Sequence, residues 1–416
     1  MRPADLPEWN RHLMTEPVVS PLLELDGAVQ ADGLDVGVAA HYGNPMIEQR
    51  QLLAGEAIVD LSHRGVLGVA GPDRLSWLNS ISSQALLGLT PGESTETLLL
   101  DQTGRVEYAM QVLDDGVETW LLVEAAELPG LHAWLDKMRF MLRVEVRDHT
   151  AEYATIGTMG AAADAALGSA TDAALASAAD VPDALTPAAP NGVPLVWNDP
   201  WQHITPGGYQ YAETAEHPGA SWHWRETLIP RAALTALRDA IAAGSLKAAG
   251  VLAFEALRIA AWRPRRALET DEKSIPHELD WLRTAVHLNK GCYRGQETVA
   301  KVHNLGHPPR RLVLLHLDGS DSILPVHGDE VSADRVLPGS EPERRPIGAI
   351  TSSARHYELG PIALAVVKRA VPATVTVYVE SQGVSIAASQ EVIVPQSAGA
   401  VLDIPRMPRL GIRPPR

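Results

Sequence analysis

Cys292 is the one cysteine in 416 residues. It stands in the octet Lys290-Gly291-Cys292-Tyr293-Arg294-Gly295-Gln296-Glu297. A lone thiol forms no disulfide within its chain and cannot by itself hold a zinc ion or an iron–sulfur cluster. It can serve as a nucleophile or redox group where its surroundings favour the thiolate. Lys290 and Arg294 supply positive charge, and a helix starting after Gly295 would aim N–H groups at the sulfur. Gly291 and Gly295 let the backbone approach a ligand or turn left-handed. Gln296 and Glu297 offer an amide and a carboxylate to a heterocycle, beside Tyr293. Read from residue types alone, the octet is either a reactive site or an inert, buried cysteine behind a glycine turn.

Arg258 is the second candidate. Its helical neighbours Phe254, Leu257 and Ala261 are apolar, which puts a guanidinium at a domain boundary. It either pairs with Glu255 or another acid, or clamps a ligand carboxylate in bidentate fashion. His287, His303 and His307 lie near Cys292 in sequence, but their spacing matches no metal motif, and no metal ligands are assigned. The chain has no GxGxxG between strand and helix, no Walker loop, no HExxH, no GxSxG and no CxxC.

The elements that must hold these residues read as mixed α and β. A helix is expected from Asn44, a strand at Val66–Ala70, and a helix after Asp73, with Asp73 as its cap. Strands follow at Glu96–Leu100, Arg105–Leu113 and Thr119–Val123, the last two joined through Asp114-Asp115-Gly116. A helix over Leu128–Met138 and a strand over Val144–Arg147 complete an α+β unit. Two helices are expected over Pro230–Ala243 and Leu246–Trp262, and a short one from Gln296 to His303. From Arg311 the texture is all β, with Gly and Pro between short strands, as in a small barrel. Residues 160–190 are rich in Ala, Asp, Ser and Pro and read as a solvated insertion. Trp197, Trp201, Trp222 and Trp224 read as core or domain-interface packing rather than a ligand wall.

With 45% apolar residues the chain can bury a large core, and its length suggests two or three domains. A net charge of −16 argues against direct nucleic-acid or anionic-membrane binding. No apolar run approaches a membrane span, the N-terminus lacks a signal core, and a cytoplasmic monomer is expected.

The octet resembles the signature of the YgfZ family of folate-binding proteins, itself similar in fold to the T-protein of the glycine cleavage system. Asp60-Leu61-Ser62-His63-Arg64-Gly65 with Gly71-Pro72-Asp73-Arg74, Leu257 to Pro264, and Ile275-Pro276 extend the match over roughly residues 42–380. The resemblance implies a three-domain α+β ring around a tetrahydrofolate-sized channel, ending in a β-barrel. The expected division is an arm over 1–40, α+β domains over 41–150 (folate-binding) and 151–310, a barrel over 311–395 and a disordered tail over 396–416. It further implies tetrahydrofolate or a one-carbon derivative as cofactor, and iron–sulfur proteins, including tRNA-modifying enzymes, as clients. Cys292 would be the functional thiol with Lys290 beside it, and Arg258, Tyr293, Arg294, Gly295, Gln296 and Glu297 would face the folate. Three positions depart from the T-protein pattern. Its paired aspartates appear here as Tyr108 and Ala109, and its pterin-binding glutamate as Ala260. These losses count against the alternative of an aminomethyl or one-carbon transferase. Trp262 also stands where the wider family carries glycine.

Overall fold

The computed structural model describes residues 18–160, 183–335 and 343–402. Residues 1–17 of the expected arm, 161–182 of the expected insertion and 403–416 of the expected tail lie outside the described residues.

The chain opens with β1 (Val29–Gln30), β2 (Ala39–His41) and α1 (Pro45–Leu53). Asn44 starts α1 by accepting from the Met46 and Ile47 amides, and Pro45 fits the first turn, where no donor is needed. Then come β3 (Ala57–Asp60), β4 (Gly65–Ala70), α2 (Arg74–Ile81), β5 (Ser94–Leu100), β6 (Val106–Asp114), β7 (Glu118–Val123), α3 (Leu128–Met138) and β8 (Glu145–Asp148). The hairpin between β6 and β7 closes because Asp115 Oδ1 accepts from the Val117 and Glu118 amides while Gly116 takes a φ of 92°. The strands form a sheet ordered β5-β6-β7-β4-β8.

A second sheet draws on distant segments. β9 (Tyr153–Met159), β10 (Val196–Asn198) and β11 (Trp224–Pro230) precede α4 (Leu234–Ala242), β12 (Lys247–Ala249), α5 (Val251–Ala260), α6 (Arg266–Glu269) and α7 (Gln296–Leu305). The order is β10-β11-β9-β3-β12, with β12 parallel to β3. The early strand β3 therefore sits among strands from beyond residue 150, and the two sheets are interleaved in sequence.

Three readings are corrected. Asp73 does not cap α2, because its carboxylate is taken by the Arg143 guanidinium and amide. The helix expected from Pro230 begins at Leu234, since β11 runs to Pro230 and a 3-10 turn intervenes. The helix expected from Leu246 begins at Val251, because Lys247–Ala249 pairs with β3 first. Gly250 makes that switch possible: a Cβ there would lie 2.1 Å from the Ala40 carbonyl oxygen.

The last unit is a closed barrel, ordered β13-β16-β15-β14-β17-β18, from β13 (Arg310–Leu317), β14 (Glu330–Arg335), β15 (Glu343–His356), β16 (Gly360–Lys368), β17 (Val377–Ser381) and β18 (Val384–Val392). Alternate residues such as Val313 and Leu315, Ala363 and Ala365, and Val377 and Val379 fill one core. The α+β class and terminal barrel match the sequence reading. The largest core lies between the two sheets and buries Trp197, Trp201, Trp222 and Trp224.

Candidate functional site

The octet forms the turn into α7. Gly295 caps that helix with a φ of 85°, and a Cβ on it would meet the Asp101 carbonyl at 2.6 Å. Only glycine fits both the conformation and the contact. Cys292 and Gly291 are exposed and Tyr293 is buried. The Lys290 ammonium donates to the carbonyls of Asn79, Ser82 and Gln84 at 2.6, 2.7 and 2.6 Å. Those acceptors lie in and just beyond the last turn of α2, where carbonyls lack helical partners and a cation is favoured. Burial brings the lysine down to about 8. All three donors are thereby committed to α2. Arg294 pairs with Glu107 at 2.5 Å, and Gln296 donates to the Lys290 carbonyl at 3.1 Å. The two cations that the sequence placed around the thiol thus have carboxylate or carbonyl partners elsewhere. Glu297 is exposed in the first turn of α7.

Arg258 lies away from the octet, on the wall of a cavity of about 80 Å³ between the two sheets. Of its two expected roles, the structure shows the ion pair. The guanidinium donates to both Glu255 oxygens, to Glu269 at 3.1 Å and to the Arg263 carbonyl at 3.2 Å. No octet residue lines this cavity.

The cavity wall is a buried charge network. Arg263 holds Glu96 through Nη1 and Nη2, at 3.1 and 2.7 Å, and Asp199 through Nε at 2.9 Å. Arg265 binds both oxygens of Glu124 and of Asp35 within 3.0 Å, and Glu255 at 3.1 Å. Arg64 meets Glu226 at 2.8 Å, and Gln111 and the Trp224 indole donate to the same Glu226 oxygen. Arg266 binds Glu127 Oε1 at 2.5 Å. Glu127 Oε2 and Glu226 Oε2 are buried without a hydrogen-bond partner.

The acids respond differently. Burial, aided by Glu124, pushes Glu127 up to about 7 despite Arg266. Burial likewise raises Asp199 to about 6 against Arg263. Burial also opposes ionisation of Glu124, but Arg265 overrides it and holds that carboxyl down at about 2.

A second cavity, of about 460 Å³, lies on the other side of Glu127 and Arg266, which line both. Its walls include Arg105, Glu107, Tyr108, Trp134 and Asp271. Tyr108 lies under Arg266 at 5.6 Å, while Ala109 faces the inner cavity. Tyr108 and Ala109, where the resemblance puts the T-protein aspartates, therefore reach the cavities as a phenol and a methyl group. Ala260 lines neither. Trp262 lines neither as well and packs on His217 at 5.2 Å. Its φ of 61° is left-handed, a conformation that glycine takes without strain.

Sequence reading missed Arg265, Arg266, Glu127 and Glu226. One signal was present: three arginines in four residues, Arg263-Pro264-Arg265-Arg266, in an acidic chain. Nothing comparable marked the two glutamates. The histidines are used apart from Cys292: His303 bonds the Tyr211 hydroxyl and His307 the Ala398 carbonyl. Among the described residues no cluster of three or more His, Cys, Asp or Glu could hold a metal ion. Among them, too, no helix is long and apolar enough to cross a membrane.

Residues 39–183 match the GCVT N-terminal domain family. A candidate chloroplastic transferase of Arabidopsis thaliana is 24% identical over 67% of this chain, and the match spans 60% of that protein. An aminomethyltransferase of Symbiobacterium thermophilum is 24% identical over 71% of this chain and 77% of its own length. The crystal structure of glycine cleavage system aminomethyltransferase T from Bartonella henselae superposes with a TM-score of 0.65 at 21% identity, covering 90% of this chain and 96% of that one. The fold is that of the glycine cleavage T-protein, and the matches support a place in its superfamily.

Proposed function

We propose that this protein, built on the T-protein fold, binds a reduced folate and serves the assembly or maintenance of iron–sulfur enzymes through Cys292 rather than cleaving glycine. The observation that carries the reading is the contrast between the two sites. The octet presents an exposed thiol on a turn pinned by Lys290, while the cavity positions Tyr108 and Ala109 have no carboxylate.

A folate fits the outer cavity better than the inner one. About 460 Å³ lies within the range of small-molecule sites, whereas about 80 Å³ is far too small for a pteridine with its side chain. Tyr108 and Trp134 offer faces to flat rings, Glu127 and Glu107 can accept from pterin N–H groups, and Arg105 can meet a glutamate tail. When bound, the folate would supply one-carbon chemistry. The chain's own residues bind and orient it, with Arg266 and Glu127 at the inner end. Arg294 connects the octet to this cavity through Glu107. Arg258 takes no direct part, because Glu255 and Glu269 occupy its guanidinium.

Two measurements test the reading. Calorimetry should show tetrahydrofolate binding that weakens on Tyr108→Ala. Cys292→Ser in a strain lacking the protein should fail to restore iron–sulfur enzyme activity. Full restoration would remove the thiol from the function.

A second reading, a one-carbon transferase, is favoured by one observation. Glu127 is a carboxyl at about 7 on the wall of both cavities and could move a proton where the aspartate pair is missing. Methylene-tetrahydrofolate formed by the purified protein from an aminomethyl donor would decide for it.

A further inference from the structure

The turn between α3 and β8 lines neither of the two cavities and lies outside the octet. It presents Phe140, Met141 and Leu142 to solvent at 79%, 98% and 42% exposure. Single exposed apolar side chains are ordinary, but among the described residues this is the only run of three large ones. The inward face of α3 is Leu131 and Leu135, with Trp134 and Met138 packed against the same core, and the three residues lie beyond it.

The tip is fastened at its base. Arg139 pairs with Asp136 at 2.8 Å, and the Leu142 amide donates to the Arg139 carbonyl at 2.9 Å. Arg143 donates to Asp73 through its amide, Nε and Nη2, at 3.0, 3.0 and 2.7 Å. Between these anchors Phe140 takes a φ of 45°. That left-handed conformation strains a bulky residue, and glycine or asparagine would take it more readily. A ring so exposed has no packing within the chain to offset the strain.

Charge and size point to what covers the tip. Lys137, Arg139, Arg143 and Arg147 flank it in sequence. Asp136, Asp73 and Glu145 each pair with one of the arginines, and Lys137 has no acidic partner among the described residues. Cations therefore outnumber acids here, in a chain whose net charge is −16. Three side chains on a projecting turn offer far less than the roughly 800 Å² that each partner gives to a specific protein interface. A lipid surface needs no matching groove. It takes apolar side chains at the acyl boundary and cations among its headgroups.

We infer that Phe140, Met141 and Leu142 form an insertion tip for the surface of an anionic bilayer, with Lys137, Arg139, Arg143 and Arg147 meeting lipid phosphates. The contact is peripheral, since no helix among the described residues can cross a membrane. The net charge, which opposes approach to such a surface, confines the contact to this tip and keeps it weak. The inference rests on neither folate nor Cys292.

Flotation of the full-length protein with lipid vesicles tests it. Vesicles of equal parts phosphatidylcholine and phosphatidylglycerol should bind reversibly, with half-saturation on the order of 1 mM lipid. Vesicles of phosphatidylcholine alone should bind at least about fivefold less. Raising salt from about 0.1 M to about 1 M, which shortens the screening length from about 10 to about 3 Å, should remove that preference. Phe140→Asn with Met141→Ser should reduce binding at least about tenfold. This double variant should melt no lower than the parent, because the tip has no packing to lose and asparagine suits its backbone. Lys137→Gln, which breaks no ion pair, should weaken binding to the mixed vesicles alone. Failure of the parent to float, no preference for the anionic vesicles, or undiminished flotation of either variant would overturn the assignment. So would a lipid-free dimer that the double variant dissolves, which would give the tip to a second copy of the chain.

Discussion

Glu127→Gln should stabilise this protein, and more so in alkali than in acid. The side chain is buried, and burial with the help of Glu124 lifts its carboxyl from an ordinary 4.5 to about 7, while Arg266 and Arg265 oppose the rise. The folded state therefore holds this proton more tightly than the unfolded chain does. The cost of ionising the group is nearly absent below about pH 4.5, grows as pH rises, and is complete above about pH 7. Integrated between pH 5 and pH 8, it comes to roughly 2–3 kcal/mol. Glutamine keeps an oxygen for the Arg266 bond but never ionises. The variant should therefore gain roughly 2–3 kcal/mol more over the parent at pH 8 than at pH 5. Asp199 and Asp280 are also raised by burial, to about 6 and about 7, and bend the parent's own pH profile. Comparing variant with parent at each pH cancels their contribution where sites do not couple. Urea unfolding followed by tryptophan fluorescence at the two pH values reads the difference. An equal gain at both, or a loss at pH 8, would show that Glu127 is ionised at no cost in the folded protein.

Lys290→Met should cost about 3 kcal/mol or more, because three carbonyls around α2 lose a charged donor. Lys290→Arg should not rescue the melting temperature, since a planar fork cannot meet three convergent acceptors. Trp262→Ala should be less stable than Trp262→Gly by about 1 kcal/mol, the reverse of the usual order, because the position is left-handed. Arg265→Met should cost roughly 3–5 kcal/mol by stranding Asp35, Glu124 and Glu255. The loss should be larger at pH 8 than at pH 5, because Arg265 is what keeps Glu124 down near 2. Equal losses would mean that the stranded acids find other partners.

What the sequence disclosed follows from how far apart the partners lie. The β6–β7 hairpin, α3 and most barrel strands were legible because an Asp-Asp-Gly turn, a helical apolar period and Gly or Pro breaks act within a few residues. The second sheet was not, since β3 pairs with β9 and β12, about 100 and 190 residues on. The same rule governs the site. Arg258 with Glu255 could be foreseen at helical spacing, whereas Glu269 could not. Glu226 reads in sequence as an ordinary strand acid after Trp224-Arg225. Only the convergence of Arg64, Gln111 and Trp224 on one oxygen, with the other left bare, distinguishes it. Lys290 read as a cation for the thiol because its true acceptors lie more than 200 residues away in α2 and the residues after it.

The octet and the cavities are coupled through one strand. A Cβ on Gly295 would lie 3.0 Å from the Gly104 Cα, so the octet turn rests on the turn that launches β6. Arg294 grips Glu107 in that strand, and the next two residues, Tyr108 and Ala109, line the outer and inner cavities. Lys290 anchors the other end of the octet to α2 and its C-terminal cap. Cys292 is thus exposed on a turn fastened at both ends, one of them to the strand that walls both cavities. No octet residue enters the inner cavity, and the octet's two cations are spent on position, Lys290 on the carbonyls at the end of α2 and Arg294 on Glu107.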